Sequence, residues 1–200
     1  MTTSRLESFS DGVLAVAITL LSLNLAVSGP GHGSLARQID SRWPFFAAYV
    51  VSFFVIGIIW VNHHTICGIL VKVDRTLLFL NLLLLLFVVL IPFSTATLAT
   101  YLTAGGSNSH VAAAVYGVVL EGMSLSFGAV FFWVMQHEDL RDPNSPAASR
   151  PAVLRFVFGS VAYLAAIVLA FVSAPLTLLI ALITAVYYIF EQTPADDASN

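Results

Sequence analysis

Long apolar stretches separated by short polar links dominate this sequence, and the last stretch constrains the fold most. It runs from Pro151 to Phe190, and one helix of that length would measure about 60 Å, twice the thickness of the hydrocarbon core of a bilayer. The stretch must therefore fold back, and Ser173-Ala-Pro175 is the break that the sequence offers. Charged residues are only 10% of the chain, against about 25% in soluble domains, which predicts an integral membrane protein.

Six apolar segments approach the length of about 20 residues that a membrane-spanning helix needs. The predicted helices are residues 8–27, 42–69, 76–101, 110–137, 152–173 and 175–190. Pro92 lies inside the third, where the missing backbone donor favours a kink. We therefore predict an all-α fold, a single domain over residues 1–200 built as a six-helix membrane bundle.

The distribution of basic residues predicts the orientation of this bundle. Six spans place both termini on one side of the membrane. Six of the eight basic residues fall on that side: Arg5, Lys72, Arg75, Arg141, Arg150 and Arg155. The other two, Arg37 and Arg42, fall on the opposite side. Cytoplasmic segments are rich in Lys and Arg, so both termini are expected in the cytoplasm. The leading segment also carries Glu7 and Asp11, so we expect a retained helix and not a signal peptide.

The first predicted helix combines a polar head with an apolar body. Arg5, Ser10 and Asp11 lie at the start of this helix. Charged groups beside the hydrocarbon core are costly and are found there mainly when they are paired or functional. Residues spaced by three and four share a face, and two neighbouring stripes of this kind are small or partly polar. They are Gly12, Val16, Thr19, Leu23 and Ala26, and Asp11, Ala15, Thr19 and Ser22. Such stripes are typical both of close helix packing and of a pore wall, and periodicity does not separate the two.

The second predicted helix ends in Trp60-Val-Asn-His63-His64. Trp60 and His64 share a face, and either histidine is within reach of Ser10 or Asp11 at the same membrane depth. The alternative is that these amphipathic rings simply lie at the membrane interface. A metal site is disfavoured because adjacent helical residues point about 100° apart.

Glu121, near the middle of the fourth predicted helix, is a functional-site hypothesis by default because carboxylates are costly inside a membrane. We favour a protonated Glu121 bonded within the bundle, since no basic residue lies at its depth. A proton-coupled secondary transporter using Glu121 or the His63/His64 pair stays an alternative. An enzyme using these three residues is disfavoured by their different depths. A net charge of -3 does not suggest a nucleic-acid partner, and Cys67 is the one cysteine.

Three motifs in the first half of the chain resemble the transmembrane protein 175 family, potassium channels of lysosomes and their prokaryotic relatives. The most specific is Arg5-x-x-x-Phe9-Ser10-Asp11-Gly12 before the first apolar run. The second is Trp60-x-x-x-His64. The third joins Asp74-Arg-Thr-Leu-Leu to the Leu-rich run from Asn81 and to Pro92-Phe.

The resemblance implies a potassium-permeable cation channel and not an enzyme. Prokaryotic members are homotetramers of six-helix subunits, so the expected partners are further copies of the chain and membrane lipid, in the prokaryotic plasma membrane. The first helix of each subunit would line the pore, with no carbonyl filter and no cofactor besides the permeant K⁺. The implied constriction residues are Val16, Thr19, Leu20 and Leu23. The implied polar network stabilising helix one consists of Arg5, Phe9, Ser10, Asp11, Trp60 and His64.

One position departs from the family pattern. The innermost constriction residue is usually Ile or Leu and here is Val16, which gives a wider ring. A ring of Thr19 hydroxyls would replace part of an ion's hydration shell, whereas apolar rings act by width and dewetting. Modest selectivity for potassium over sodium is therefore expected.

Overall fold

The computed structural model describes residues 2–145 and 150–191, and their regular structure is helical. The α-helices are α1 Thr3–Leu21, α2 Leu35–Ser41, α3 Trp43–Gly68, α4 Arg75–Tyr101, α5 Gly106–Gln136, α6 Arg150–Ala170 and α7 Ala174–Glu191. Short 3-10 turns follow α1 at Ser22–Asn24 and α5 at Glu138–Leu140. The prediction of an all-helical fold is confirmed for the described residues.

Four of these helices are long and apolar enough to cross a membrane: α1 with its 3-10 turn, α3, α4 and α5. The apolar parts of α6 and α7, Phe156–Ala170 and Ala174–Phe190, are shorter. The predicted count of six spans therefore stays a prediction. The remaining helix, α2, is a short surface segment with no buried residue.

The predicted bounds of the first helix, residues 8–27, are wrong at both ends. The helix begins at Thr3 because its first turns already have contacts: Leu6 is buried and Glu7 pairs with α3. It ends at Leu21, and the apolar residues of 25–27 have no regular structure. Hydropathy marks residues that avoid water, whereas helix ends depend on backbone and packing partners, so the two ranges differ.

α5 is the central helix of the bundle and packs against α4, α6 and α7. Its approach to α4 is close, because a methyl group at Gly122 would collide with the ring of Phe87. α1 lies at the side of the bundle, against α3 and α4. It is the least buried of the four long helices, with 28% of its most apolar segment buried against 61% for α5. A large part of α1 therefore faces outward from the subunit.

A buried cluster of hydroxyl groups ties α3, α4 and α5 together. The hydroxyl of Ser52 lies 2.8 Å from that of Thr95 and 2.9 Å from that of Tyr116. All three residues are buried. Unpaired polar groups are costly in an apolar interior, so this cluster fixes how the three helices pack at this level.

The links α3–α4 and α5–α6 meet at the end of the bundle where α1 and α4 begin. We call this the N-terminal end. The backbone amide of Val71 donates to the carbonyl of Leu140 at 2.9 Å, and that of Asp142 donates to Ile69 at 2.9 Å. Asp74 accepts from the amide of Leu77 at 2.7 Å and from the indole of Trp133 at 3.1 Å. These bonds hold α3, α4 and α5 in fixed relation at this end.

Candidate functional site

A buried chain of polar side chains connects α1 to α3 and α4 at the N-terminal end. Nδ2 of Asn81 donates to the hydroxyl oxygen of Ser10 at 3.0 Å, and Oδ1 of Asn81 lies 2.8 Å from Nε2 of His63. The hydroxyl of Ser10 donates to the carbonyl of Leu6 at 2.9 Å, and Sγ of Cys67 lies 3.6 Å from Nδ1 of His63. Ser10, His63 and Asn81 are each at most 1% exposed. These hydrogen bonds therefore supply the partners that water would otherwise provide to these buried groups.

A second, more exposed set of contacts joins the same helices nearer the surface. Nε1 of Trp60 donates to Oδ1 of Asp11 at 3.0 Å. Nδ1 of His64 lies 2.9 Å from Oε1 of Glu7. The rings of Trp60 and His64 are stacked, with centroids 6.3 Å apart. α1 is thus held to α3 at two successive turns, by the Trp60–Asp11 bond at one and by the His64–Glu7 contact at the other.

The two histidines have different partners from those that the sequence suggests. His64 pairs with Glu7 and forms no hydrogen bond with Ser10 or Asp11. His63 reaches Ser10 only through Asn81. Asn81 is not among the predicted site residues, although a lone amide in the Leu-rich run of α4 is a signal, because polar residues in apolar helices serve as interhelical hydrogen-bond partners.

Two predicted members of the network have no such partner among the described residues. The side chain of Arg5 is exposed and forms no hydrogen bond or ion pair with the described residues. Phe9 is 50% exposed and lies on the outward side of α1. The structure thus brings together Ser10, Asp11, Trp60 and His64, and leaves Arg5 and Phe9 apart from them.

The two faces of α1 differ in burial along the whole helix. Leu6, Leu14, Ala17 and Leu21 pack into the bundle. Val16, Thr19 and Leu20 are exposed, and so is Leu23, by 71%, in the 3-10 turn that continues α1. The four predicted constriction residues therefore share the face that the subunit does not cover.

Thr19 differs from its apolar neighbours on this face. Its hydroxyl donates to the carbonyl of Val16 at 2.8 Å. The hydroxyl proton is used within the helix, and the lone pairs of the oxygen have no partner in the part of the chain that the structure describes. An exposed oxygen of this kind can accept a hydrogen bond or contact a cation.

Glu121 lies away from both histidines. It is buried on α5, where Oε2 has no hydrogen-bond partner among the described side chains and the hydroxyl of Ser160 on α6 is adjacent. The partners of His63 and His64 belong instead to α1, α3 and α4. The described residues contain no group of three or more His, Cys, Asp or Glu side chains placed to hold a metal ion.

Known proteins similar to this chain are channels. The family profile described as "Endosomal/lysosomal potassium channel TMEM175" matches residues 5–92. A protein of Streptomyces collinus named as a potassium channel is 49% identical over 192 residues, which are 95% of this chain and 93% of the relative. A protein of Chamaesiphon minutus with the same kind of name is 34% identical over 93% of both chains.

Two further similarities concern a vertebrate relative and a solved structure. Human "Endosomal/lysosomal proton channel TMEM175" is 35% identical over 99 residues, which are 45% of this chain and 20% of the human protein. The fold is similar to the crystal structure of a lysosomal potassium-selective channel TMEM175 homolog from Chamaesiphon minutus. The TM-score is 0.80 at 33% identity, and the match covers 94% of this chain and 96% of the other.

Proposed function

This chain belongs to the TMEM175 family of ion channels, and on that premise we propose that it conducts potassium ions through a pore lined by α1. It is a membrane channel and not an enzyme. The Streptomyces relative is named as a potassium channel and the similar crystal structure is that of a potassium-selective channel, which supports potassium as the permeant ion. The pore would form between copies of the chain, with α1 of each copy at the centre.

The observation that carries this proposal is the uncovered face of α1. A helix that faces lipid on one side usually presents large apolar residues there, whereas this face alternates apolar residues with Gly12, Ala15 and Thr19. Trp60 and Asp11 hold the N-terminal end of the same helix. A helix that is anchored at one end and uncovered along its body suits a pore wall whose position must be fixed.

The proposed constriction consists of three apolar residues and one hydroxyl. Val16, Leu20 and Leu23 would set the width of the pore and exclude water from it, because apolar side chains cannot coordinate an ion. Thr19 would supply the oxygen that replaces part of the hydration shell of the ion. Selectivity for potassium over sodium would be modest, since no ring of backbone carbonyls takes part.

We propose a homotetramer, in which the exposed side chains of Arg5 and Phe9 find partners on a neighbouring subunit. Both lie at the N-terminal end, beside residues that already connect α1 to α3. A guanidinium group and a ring for which the described residues offer no partner are suited to such contacts. The mass of the intact assembly, measured in detergent by native mass spectrometry, tests the number of copies.

The proposed membrane is the prokaryotic plasma membrane, with the N-terminal end of the bundle in the cytoplasm. Lys72, Arg75 and Arg141 stand at this end beside the start of α1, whereas Arg37 and Arg42 lie beyond the other end. The excess of basic residues supports the orientation through the positive-inside rule. Labelling of a cysteine placed at Ser4 from one side of sealed vesicles tests it.

Recordings in a planar bilayer under a potassium gradient test the function. Discrete unitary currents that reverse near the equilibrium potential of potassium are expected from purified, reconstituted protein. A smooth, saturable flux without unitary events would instead favour a transporter. The transporter alternative is supported by Glu121, whose buried Oε2 has no hydrogen-bond partner among the described residues. Glu121 lies in a membrane-spanning helix, where a carboxyl group can carry a proton.

A further inference from the structure

The direction of every hydrogen bond in the buried chain follows from its α1 end. The hydroxyl proton of Ser10 is used on the carbonyl of Leu6, so Ser10 offers only lone pairs to Asn81. The amide group of Asn81 must therefore face Ser10, and its carbonyl oxygen must face His63. Because that oxygen only accepts, His63 must donate to it through Nε2.

This requirement leaves the second nitrogen of His63 as an acceptor. A neutral imidazole with its proton on Nε2 carries a lone pair on Nδ1, and a buried lone pair needs a donor. Sγ of Cys67 lies 3.6 Å from Nδ1, one helical turn further along α3. Among the residues that the structure describes, Nδ1 of His63 has no other hydrogen-bond partner.

We propose that Cys67 is a positioning residue, whose thiol proton holds His63 in the Nε2–H tautomer and thereby fixes Asn81, Ser10 and α1. The chain then runs in one direction, from the thiol of Cys67 to the backbone of Leu6. It joins three helices without a charge, through groups that are all buried. Each donor atom in it bonds to one acceptor, and no buried side-chain nitrogen or oxygen of Ser10, His63 or Asn81 lacks a hydrogen-bond partner.

Without the thiol proton only the α1 end would favour this direction, because Nδ1 of His63 would be a buried acceptor with no donor. The opposite tautomer of His63 would present a lone pair to Asn81, whose amide would have to turn over. The carbonyl oxygen of Asn81 would then face Ser10, whose proton is already committed to Leu6. The bond between α4 and α1 would weaken, and with it the fixed position of α1.

Packing is the competing explanation, since buried cysteines commonly act as small apolar residues. Cys67→Ala and Cys67→Ser separate the two explanations. Both variants remove the bulk of the sulfur atom, but only serine keeps a hydrogen-bond donor at nearly the same place. Packing alone predicts that alanine performs as well as serine.

The first test is the tautomer itself, measured by NMR on protein labelled with ¹⁵N-histidine in nanodiscs. We expect His63 of the wild-type protein and of Cys67→Ser to show one protonated nitrogen, Nε2, and Cys67→Ala to show a mixture. His63→Gln assigns the signals. An Nδ1–H tautomer of His63 in the wild-type protein would overturn the proposal, and this result does not depend on any variant folding. Identical spectra for the serine and alanine variants would also overturn it.

The second test is the open probability of single channels, and it alone rests on the proposed pore. Cys67→Ala should change the ratio of open to closed time by about fivefold or more, matching the low end of the cost of an unpaired buried acceptor. Cys67→Ser should change the ratio of open to closed time by no more than about twofold, which is less than half of the free-energy change expected for Cys67→Ala. Equal effects of both variants would refute the positioning role. Absence of any channel current in the wild-type protein would refute the proposed function and leave the tautomer result standing.

Discussion

Nδ2 of Asn81 lies 3.0 Å from the hydroxyl oxygen of Ser10, and this bond joins α4 to α1 across 71 positions of the sequence. Neither side chain is exposed to solvent beyond 1%. Oδ1 of Asn81 also lies 2.8 Å from Nε2 of His63, so one amide connects α1, α3 and α4. The position of α1 against the bundle therefore depends on a few polar contacts as well as on apolar packing.

Asn81→Leu is expected to destabilise the subunit, since it keeps the branched shape of the side chain and removes both bonds. Nε2 of His63 would lose its partner and the oxygen of Ser10 would lose its donor, at about 1–3 kcal/mol for each group. Thermal unfolding in detergent should show a lower midpoint than for the wild-type protein. Asn62→Leu is the matched control, because Asn62 is half-buried and, among the described residues, its side chain bonds only to the carbonyl of Ile58 in its own helix. Equal midpoints for the two variants would contradict the role of the chain.

Trp60→Phe is expected to lower the open probability or the yield of assembled channel and to leave ion selectivity unchanged. The substitution keeps an aromatic ring beside His64 and removes the donor to Asp11. Channel recordings and size-exclusion chromatography measure the two effects. Trp43→Phe is the control, since Trp43 is also about half exposed but begins α3 at the opposite end. A change in selectivity alone would show that Asp11 acts on the ion and not on the helix.

Val16→Ala and Leu23→Ala are expected to raise the unitary conductance or to reduce the preference for potassium over sodium. Smaller side chains on the uncovered face of α1 would widen the proposed constriction. Single-channel currents in potassium and sodium solutions measure both properties. Val118→Ala and Leu125→Ala are matched controls, because these residues are exposed to a similar degree on α5. Conductance unchanged in both α1 variants would mean that α1 does not line the pore.

Thr19→Val is expected to reduce the permeability ratio of potassium to sodium with little effect on folding. Valine has nearly the same shape and lacks the oxygen that would contact the ion. Reversal potentials under bi-ionic conditions give the ratio. Thr100→Val is the control, since Thr100 is exposed on α4 and its hydroxyl makes the same kind of intrahelical bond, to Ala96 at 2.8 Å. A ratio that Thr19→Val leaves unchanged would assign selectivity to pore width alone.

Glu121→Gln is expected to leave potassium conduction intact. Glutamine keeps the shape and the hydrogen-bonding capacity of a neutral carboxyl group but cannot carry a proton. Potassium flux into vesicles at two pH values, with and without an imposed proton gradient, measures the effect. Loss of a flux that the proton gradient drives would favour the transporter in place of the channel.

The sequence by itself determined the class of the protein and the two faces of its first helix. The length of the apolar segments and the low content of charged residues indicate a membrane protein, because such segments are stable in a bilayer and not in water. The spacing of Val16, Thr19 and Leu23 placed these residues on one face, since helical periodicity is a local property. The motif around Ser10 and Asp11 also pointed to α3 as the partner of α1.

Only the tertiary structure decided which polar groups meet. Hydropathy does not distinguish His63 from His64, yet the rotation of α3 turns one into the core toward Asn81 and the other outward toward Glu7. That rotation, and the relative heights of α1, α3 and α4, are set by how the side chains of three helices fit together. Contacts between residues far apart in the sequence depend on this fit, and for that reason Asn81 and Cys67 appear in the site only once the helices are packed.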